Sequence, residues 1–302
     1  MTLYDCAKEF IFQKELAALS PATVKDYKCY IHVFFKYIDK NLPLDSVSLE
    51  AVSDSLRRLL RGHYSKATIS TYINNIRIFL RWIHKKYHLP FDPKEITVPK
   101  PPKKVVRILN DSEVQILLNS VQTSSEWITA RDRAIVAFLL DSGLRLNEIC
   151  GLLKQNIDSE RMIAKITGKG AKDRFIPLGH VVFQLIQDYL ALCPYKNSDY
   201  VFLGRSGSSI SRNTIKVFMN HLKHKTGLDI SCHKLRHNFA TNFCIDSLRA
   251  TGSTNIPDLS VLMGHESSET TKRYEHYARD IVAAECHSSH LDRVFLNKDA
   301  EN

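Results

Sequence analysis

Five short clusters in the last two thirds of the chain contain the residues whose types could do chemistry. They bring arginines, lysines, histidines and a tyrosine close together in sequence. In chain order the clusters are 142–148 (SGLRLNE), 168–174 (GKGAKDR), 233–241 (HKLRHNFAT), 262–265 (LMGH) and 270–274 (TTKRY). Each has an ordinary structural interpretation when taken alone, because surface ion pairs, solvated lysine turns and packed histidines are common in proteins.

The combination of these clusters indicates phosphoryl transfer without a metal ion. That reaction needs a nucleophile, cations around the non-bridging oxygens and an acid for the leaving oxygen, and the clusters supply all three. No pair of acidic residues suited to two-metal nuclease chemistry stands beside them. The run HKLRH has two histidines but lacks the glutamate of HExxH, and no third ligand is evident. We therefore expect no metal and no cofactor.

The charge distribution favours a polyanionic partner. The 302 residues have a formal charge of +10. Residues 1–106 contain 18 Lys and Arg against 10 Asp and Glu, a net +8, whereas 107–302 contain 24 against 22, a net +2. An excess in the first third suits a module that binds phosphates generally, while a second module acts through a few placed residues.

Nothing in the sequence predicts a membrane or secreted protein. The longest uninterrupted apolar run, 134–140, has seven residues, whereas a membrane span needs about 20. The N-terminus shows no signal peptide. Seven cysteines without a CxxC pair indicate reduced thiols rather than a disulfide framework or zinc ribbon. We expect a soluble, cytoplasmic protein with no membrane partner.

The first third predicts a compact helical domain. Apolar residues recur at helical spacing in four stretches, which are 3–16, 21 to about 40, 49–60 and a last stretch from about 65. Ser20 before Pro21 is a typical helix start, with serine as N-cap and proline in the first turn. Prolines and lysines interleaved from Pro90 to Lys104 then predict an extended basic linker. We expect domains at 1–98 and 107–302, joined by a linker at 99–106.

The second domain shows mixed patterns. We expect Asp111 to cap a helix over 112–121, and a long apolar helix follows at 127–140. Two short alternating runs on either side of 168–172 predict a β-hairpin, and helical patterns resume at His180. The expected fold class is mainly α with a small β-hairpin or sheet (α+β).

The five motifs, in this order, resemble those of the tyrosine recombinase (phage integrase) family. The segments LSPATVKDY and YSKATISTY are similar to that family's helical, SAM-like core-binding domain, so the resemblance covers nearly the whole chain. The two-domain layout is similar to Xer recombinases and simple integrases, with no further DNA-binding domain expected before it.

The resemblance implies a role for each chemical group at the cleavage step. Tyr274 would attack a DNA phosphorus, leaving a 3′-phosphotyrosine link and a free 5′-hydroxyl. Arg145 and Arg236 would hold the non-bridging oxygens, and Lys169 would protonate the departing 5′ oxygen. The energy of the phosphodiester would stay in the protein–DNA bond, so rejoining would need no ATP.

Three further residues receive supporting roles from the same resemblance. His233 would assist proton transfer at the tyrosine, His265 would hydrogen-bond the phosphate, and Glu148 would support the site. The sequence departs from the Xer pattern because His233 and His265 are 32 residues apart, several more than in Xer members. The extra residues are expected within 248–256.

Double-stranded DNA is the expected partner. The resemblance implies four subunits on paired sites, and the free chain is expected to be a monomer. A modest apolar set within 278–294 is expected to dock on a neighbouring subunit, the alternative being that it packs on its own domain. Candidate DNA contacts at helix starts, turns and basic positions are Ser20, Thr23, Ser65, Lys66, Thr68, Lys172, Arg174 and Arg212.

Two other functional classes stay open at this stage. A DNA-binding regulator could have the same fold without catalysis, and a metal-dependent nuclease could also act on DNA. The biological role could be integration, excision or resolution of DNA.

Overall fold

The structure, a computed structural model, describes residues 1–100, 107–168, 172–265 and 267–285, together with Ser289 and Leu291. The chain divides into two units, Met1–Val105 and Val106–Asn302. The described residues are mainly helical, with one three-stranded antiparallel sheet, which confirms the expected fold class. None of the helices in this part of the chain combines the length and hydropathy of a transmembrane segment.

Residues 1–100 of the first unit contain four α-helices. They are α1 (Leu3–Leu16), α2 (Pro21–Phe35), α3 (Leu49–Leu60) and α4 (Lys66–Tyr87). Ser20 and Ser65 cap α2 and α4 by accepting a hydrogen bond from the N–H group three residues further on. The apolar faces meet in a core around Phe10, Phe34 and Phe79. The predicted starts of α2 and α4 are therefore confirmed.

The predicted extension of α2 to about Lys40 is wrong, because α2 ends at Phe35. The carbonyl groups of Lys40 and Leu42 instead accept hydrogen bonds from Tyr4 (2.8 Å) and Leu3 (3.1 Å). The first N–H groups of a helix have no partner within the helix. The segment after α2 thus satisfies the start of α1, which a continued helix could not do.

The second unit has eight α-helices within its described residues. They are α5 (Asp111–Asn119), α6 (Glu126–Ser142), α7 (Leu146–Cys150), α8 (His180–Leu192), α9 (Arg212–Thr226), α10 (Cys232–Thr251), α11 (Ile256–Met263) and α12 (Glu269–Glu285). The long apolar helix predicted at 127–140 is confirmed as α6, and its residues 134–139 are all buried. Helices α8 and α10 pack against α6, and α12 packs against α10. Helix α10 therefore packs against both α6 and α12.

Asn110, rather than Asp111, caps α5. The Asn110 side chain accepts from the Glu113 N–H (2.9 Å), and the Glu113 carboxylate accepts from the Asn110 N–H (3.1 Å). This reciprocal capping box starts the helix one residue earlier than predicted, so Asp111 becomes its first residue.

The predicted hairpin is present as part of a three-stranded sheet. Its strands are β1 (Ile157–Asp158), β2 (Ile163–Thr167) and β3 (Asp173–Pro177), in the order β1-β2-β3. Strand β1 is too short to show a period in the sequence. Alternate residues of β3, Arg174 and Ile176, are buried, and Ile176 pairs with the buried Ala164 of β2. The register therefore directs the Arg174 side chain towards the interior of the protein.

Candidate active site

Arg145 follows a turn that requires glycine. Gly143 caps the C-terminus of α6 with a φ of 60°, and a Cβ at this position would lie 2.3 Å from the Phe239 ring of α10. Only glycine allows both this backbone conformation and this close approach. After the turn, the Arg145 N–H donates to Glu148 Oε2 (2.7 Å), and its guanidinium donates to Glu148 Oε1 (3.2 Å) and the Gly264 carbonyl (2.6 Å). Arg145 is thus anchored to the end of α11.

Glu148 hydrogen-bonds two arginines, Arg145 and Arg174. Its carboxylate accepts two hydrogen bonds from the Arg174 guanidinium, at 2.9 and 2.8 Å, besides those from Arg145. Burial alone would raise the pKa of Glu148, but the hydrogen bonds from Arg174 and Arg145 outweigh it and lower the pKa. Glu148 is therefore a carboxylate at neutral pH and accepts hydrogen bonds from two arginine side chains.

Arg174 does not fit the predicted role of a DNA contact. Its side chain is only 8% exposed, and its Nε donates to the Leu262 carbonyl (2.8 Å) while both Nη atoms donate to Glu148. A buried guanidinium with these partners holds the site together and is not presented to a ligand. The alternation along β3 was the signal that this prediction overlooked, because it places Arg174 on the same side as Ile176.

Arg236 of α10 links three segments of the unit. It donates to the Gly143 carbonyl (2.5 Å), to the Met263 carbonyl (2.7 Å) and to Nε2 of His265 (3.1 Å). Burial, reinforced by the nearby charge of Arg145, lowers the pKa of Arg236 to about 10. The side chain still carries its charge at neutral pH, and it ties the end of α6 to the end of α11.

His265 supports Arg236 in a defined tautomer. Because arginine can only donate, Nε2 of His265 accepts from Arg236, which leaves Nδ1 to donate to the Thr271 hydroxyl (2.8 Å). Burial, followed by the positive charges of Arg236 and Arg145, lowers the pKa of His265 to about 4. His265 is therefore neutral at physiological pH and lies beside the two arginines.

Tyr274 of α12 is buried next to the same groups. Its side chain belongs to a core with α10 and α11, and the residue is 3% exposed. Its phenol oxygen lies 2.5 Å from Nδ1 of His237 and accepts a hydrogen bond from Arg273 (2.8 Å). The tyrosine and the arginines thus come from one chain and one folded unit.

His237, rather than His233, contacts the phenol of Tyr274. Within the described residues, His233 lies against His237, with ring centroids 4.1 Å apart. The role predicted for His233 at the tyrosine is therefore not supported by the contacts, and His237 was missed. The signal was available, because residues four apart share a helix face, and HKLRH places both histidines on one face. No three His, Cys, Asp or Glu side chains gather as a metal site in this part of the chain.

A positively charged cleft of about 820 Å³ lies beside these groups. Its cations are Arg145, Arg212, Lys216, Lys223, Arg236 and Arg273, with His233 and His265 next to them, and among the described residues no Asp or Glu lines it. Of these, Arg212 was expected at a DNA surface. Lys216 and Lys223 were missed, although their spacing from Arg212 along α9 keeps all three on one helix face. The cleft suits an anionic backbone.

The turn between β2 and β3 begins at Gly168, next to Glu148. Gly168 donates its N–H to the Lys172 carbonyl (2.9 Å), and a Cβ at Gly168 would lie 3.9 Å from Oε1 of Glu148. Lys169, the predicted acid, lies outside the described residues. Lys172 is exposed and stays a candidate for DNA contact.

The candidates in the first unit form two matching helix starts. Ser20 and Ser65 each bond both the N–H and the hydroxyl of the threonine three residues later, Thr23 or Thr68. Lys66 is exposed at the first position of α4. The serine hydroxyls are thus used as caps, and DNA contact by these five residues stays a prediction.

Comparison with known families adds independent information. The profile of the phage integrase family matches residues 107–280. The profile of the phage integrase N-terminal SAM-like domain matches residues 11–86. Together they cover the described helices of both units almost completely.

Individual relatives match over nearly their whole length. The chain is 27% identical to the tyrosine recombinase XerC of Syntrophus aciditrophicus, over 89% of this chain and 92% of that protein. It is 26% identical to the tyrosine recombinase XerD of Vibrio cholerae, over 91% and 92%. Its fold is similar to that of the Tn1549 transposon integrase in complex with a circular intermediate DNA, with a TM-score of 0.76 and 17% identity over 94% of this chain and 99% of that one. The chain therefore belongs to the phage integrase family of tyrosine recombinases.

Proposed function

We propose that this recombinase cuts and rejoins double-stranded DNA at specific sites through a covalent bond between Tyr274 and a 3′ phosphate. One observation carries the assignment of the residues. The phenol of Tyr274 is bonded to Arg273, which lines the same positive cleft as Arg145 and Arg236. A nucleophile and two anchored guanidinium groups are thus assembled beside a space of suitable charge. Such an enzyme would work in the cytoplasm, on integration, excision or resolution of DNA.

The contacts of the two arginines explain how they would act on the scissile phosphate. Arg145 is braced by Glu148, and Arg236 by His265 and two carbonyl groups. Side chains held in this way do not need to reorganise when negative charge grows on the non-bridging oxygens. Nε2 of His265 accepts from Arg236 in the free protein, so His265 would donate to the phosphate after taking up a proton from solvent, which the negative charge of the bound phosphate favours.

The DNA is proposed to extend over basic residues outside this centre. Arg212 lines the cleft, and Lys172 is exposed beside the hairpin turn. In the first unit the capped helix starts would approach phosphates with their backbone N–H groups and positive dipole ends. The remaining candidates are Ser20, Thr23, Ser65, Lys66 and Thr68.

Covalent trapping distinguishes this proposal from a regulator or a metal-dependent nuclease. A pool of duplexes with a random central segment and nicks on one strand is incubated with the protein in excess EDTA. A nick next to the cleavage site lets the short 5′-hydroxyl product diffuse away, so the adduct cannot be resealed. We expect complexes that resist denaturing gels, and sequencing their DNA defines a site for all later experiments. Binding without any such complex would favour the regulator, and cleavage that EDTA abolishes would favour the nuclease.

Lys169→Ala tests which group protonates the leaving oxygen. We expect single-turnover cleavage of the selected site to slow by about 100-fold. A substrate with sulfur in place of the leaving 5′ oxygen should restore the rate, because a thiolate leaves without a proton. Lys172→Ala is the matched control and should show no preference for sulfur. Equal defects of Lys169→Ala on both substrates would instead assign it a purely electrostatic role.

Assembly on DNA is proposed to use the segment after α12. Ile281 and Val282, which were expected to dock on a neighbour, pack in part against the core of their own unit, which favours the alternative for these two residues. Leu291 is 63% exposed and stays a candidate. Two duplexes have four strands to exchange, and one Tyr274 per chain then requires four subunits. We propose a monomer that assembles into this tetramer on DNA, where linked sites raise the local concentration of subunits.

Truncation after Glu285 should separate DNA binding from assembly. We expect binding to a single site to persist, while cooperative binding to two sites falls by about 100-fold and strand exchange is lost. Gel shifts on one-site and two-site DNA measure this, and Leu291→Ser gives a full-length variant that should show the same defect. Full recombination by the truncated chain, or a stable tetramer without DNA, would contradict this assembly.

A further inference from the structure

The buried phenol of Tyr274 has a proton acceptor of its own. Oη of Tyr274 lies 2.5 Å from Nδ1 of His237, and Nη2 of Arg273 donates to the same oxygen at 2.8 Å. Arginine has no acceptor and keeps its proton in proteins. Among the described partners, only His237 can therefore accept the phenol hydrogen, which would otherwise be a buried donor without a partner.

We propose that His237 takes the proton from Tyr274 during strand cleavage and returns it during rejoining. This inference rests on the proposed function, in which Tyr274 is the nucleophile. The O–H bond of the phenol breaks and its proton passes to Nδ1 of His237. The phenol oxygen bonds to phosphorus while the bond from phosphorus to the 5′ oxygen breaks. That oxygen takes a separate proton from Lys169, and each transfer runs backwards when the strand is resealed.

The surroundings of His237 keep it ready to accept. The residue is 7% exposed. The charged and titratable groups around it are His233 and Arg236 on α10, Arg273 and Tyr274 on α12, and His265 after α11. Burial, followed by the charges of these neighbours, lowers the pKa of His237 to about 4. The imidazole is therefore neutral at physiological pH, with Nδ1 unprotonated.

The DNA itself would make the transfer favourable. A low pKa disfavours an imidazolium in the free protein, but the scissile phosphate would bring negative charge into the adjacent cleft, which is lined by the neighbours of His237, among them His233, Arg236 and Arg273. Opposite charge nearby stabilises the protonated form of a histidine. Arg273, which contacts the phenol oxygen, stabilises the charge that grows there as the proton leaves. His237 would thus become an effective base only when substrate is in place.

His237→Asn is the most informative substitution. The asparagine side chain places an oxygen near the position of Nδ1, so it can still accept a hydrogen bond but cannot take the proton. On the selected nicked duplex we expect unchanged binding and single-turnover cleavage about 100-fold slower near pH 7. The defect should shrink as the pH is raised from 7 to 9, because hydroxide then takes over part of the proton removal that His237 would perform. His180→Asn, an exposed site at the start of α8, should match the wild type throughout.

Two comparisons distinguish a base from a structural residue. A 5′ sulfur substrate should not restore the cleavage rate of His237→Asn, because the impaired step is proton removal from the nucleophile. A defect equal at all pH values would show a structural role, and restoration by sulfur would show action on the leaving group. Either result would overturn the proposal, as would a larger pH-dependent defect in His233→Asn.

A measurement on the wild-type protein does not depend on whether a variant folds. NMR of isotope-labelled histidine should show His237 with its hydrogen on Nε2, and a hydrogen on Nδ1 would overturn the proposal. Failure of the wild type to form an adduct would remove both the proposed function and this inference. An adduct formed equally fast by the wild type and His237→Asn would remove only the inference.

Discussion

Tyr274→Phe will abolish covalent attachment to DNA while leaving DNA binding intact. The substitution removes the phenol oxygen that is proposed to attack the phosphorus, so cleavage should fall by at least about 1000-fold. The ring that packs in the core with α10 and α11 is retained, and the fold should therefore survive. Denaturing gels on the selected nicked duplex measure the adduct, and gel shifts measure binding.

Tyr277→Phe is the matched control, since Tyr277 lies one turn further along α12 and has no role in the proposed site. It should cleave at the wild-type rate. If Tyr274→Phe still forms an adduct, or if Tyr277→Phe does not, the nucleophile has been assigned to the wrong residue.

Arg145→Lys and Arg236→Lys should each slow cleavage by about 100-fold. Lysine keeps the charge but loses the planar fork, and losing one such contact in a transition state costs about 3 kcal/mol. The larger effect is expected for Arg236, because a lysine cannot reach the Gly143 carbonyl, the Met263 carbonyl and His265 at once. Single-turnover rates at saturating protein measure the chemical step.

Thermal unfolding distinguishes a loss of catalysis from a loss of protein stability. Arg236→Lys leaves buried carbonyl groups without a donor, so its melting temperature should also fall. Arg279→Lys, at an exposed position of α12, should change neither property. Wild-type cleavage rates in both Arg145→Lys and Arg236→Lys would rule out the proposal that these arginines hold the phosphate.

The sequence predicted most elements of the fold because their signals are local. Ser20, Pro21 and Ser65 mark helix starts through chemistry that acts within one turn, and alternation on either side of 168–172 indicated the hairpin. The end of α2 could not be predicted in the same way. It depends on hydrogen bonds between residues 40–42 and the start of α1, which are tertiary contacts.

The site was predictable to the extent that its motifs are distinctive. Arg145, Arg236, His265 and Tyr274 do lie around one cleft or directly beside it. The partners of Arg174 and His237, which are Glu148 and the phenol of Tyr274, were not predictable, because they depend on which side chains meet across α7, β3, α10 and α12. Periodicity places a residue on a face but does not identify its partner.

Mass spectrometry of the trapped complex tests the central claim most directly. The adduct formed by the wild-type chain in EDTA is digested with nuclease and trypsin, and the peptide that retains a nucleotide is fragmented. Cleavage after Arg273 and Arg279 would give the peptide 274–279 (YEHYAR), in which fragmentation distinguishes Tyr274 from Tyr277. The account predicts a nucleotide joined through its 3′ phosphate to Tyr274. A nucleotide on any other residue, or a 5′ phosphate link, would contradict it.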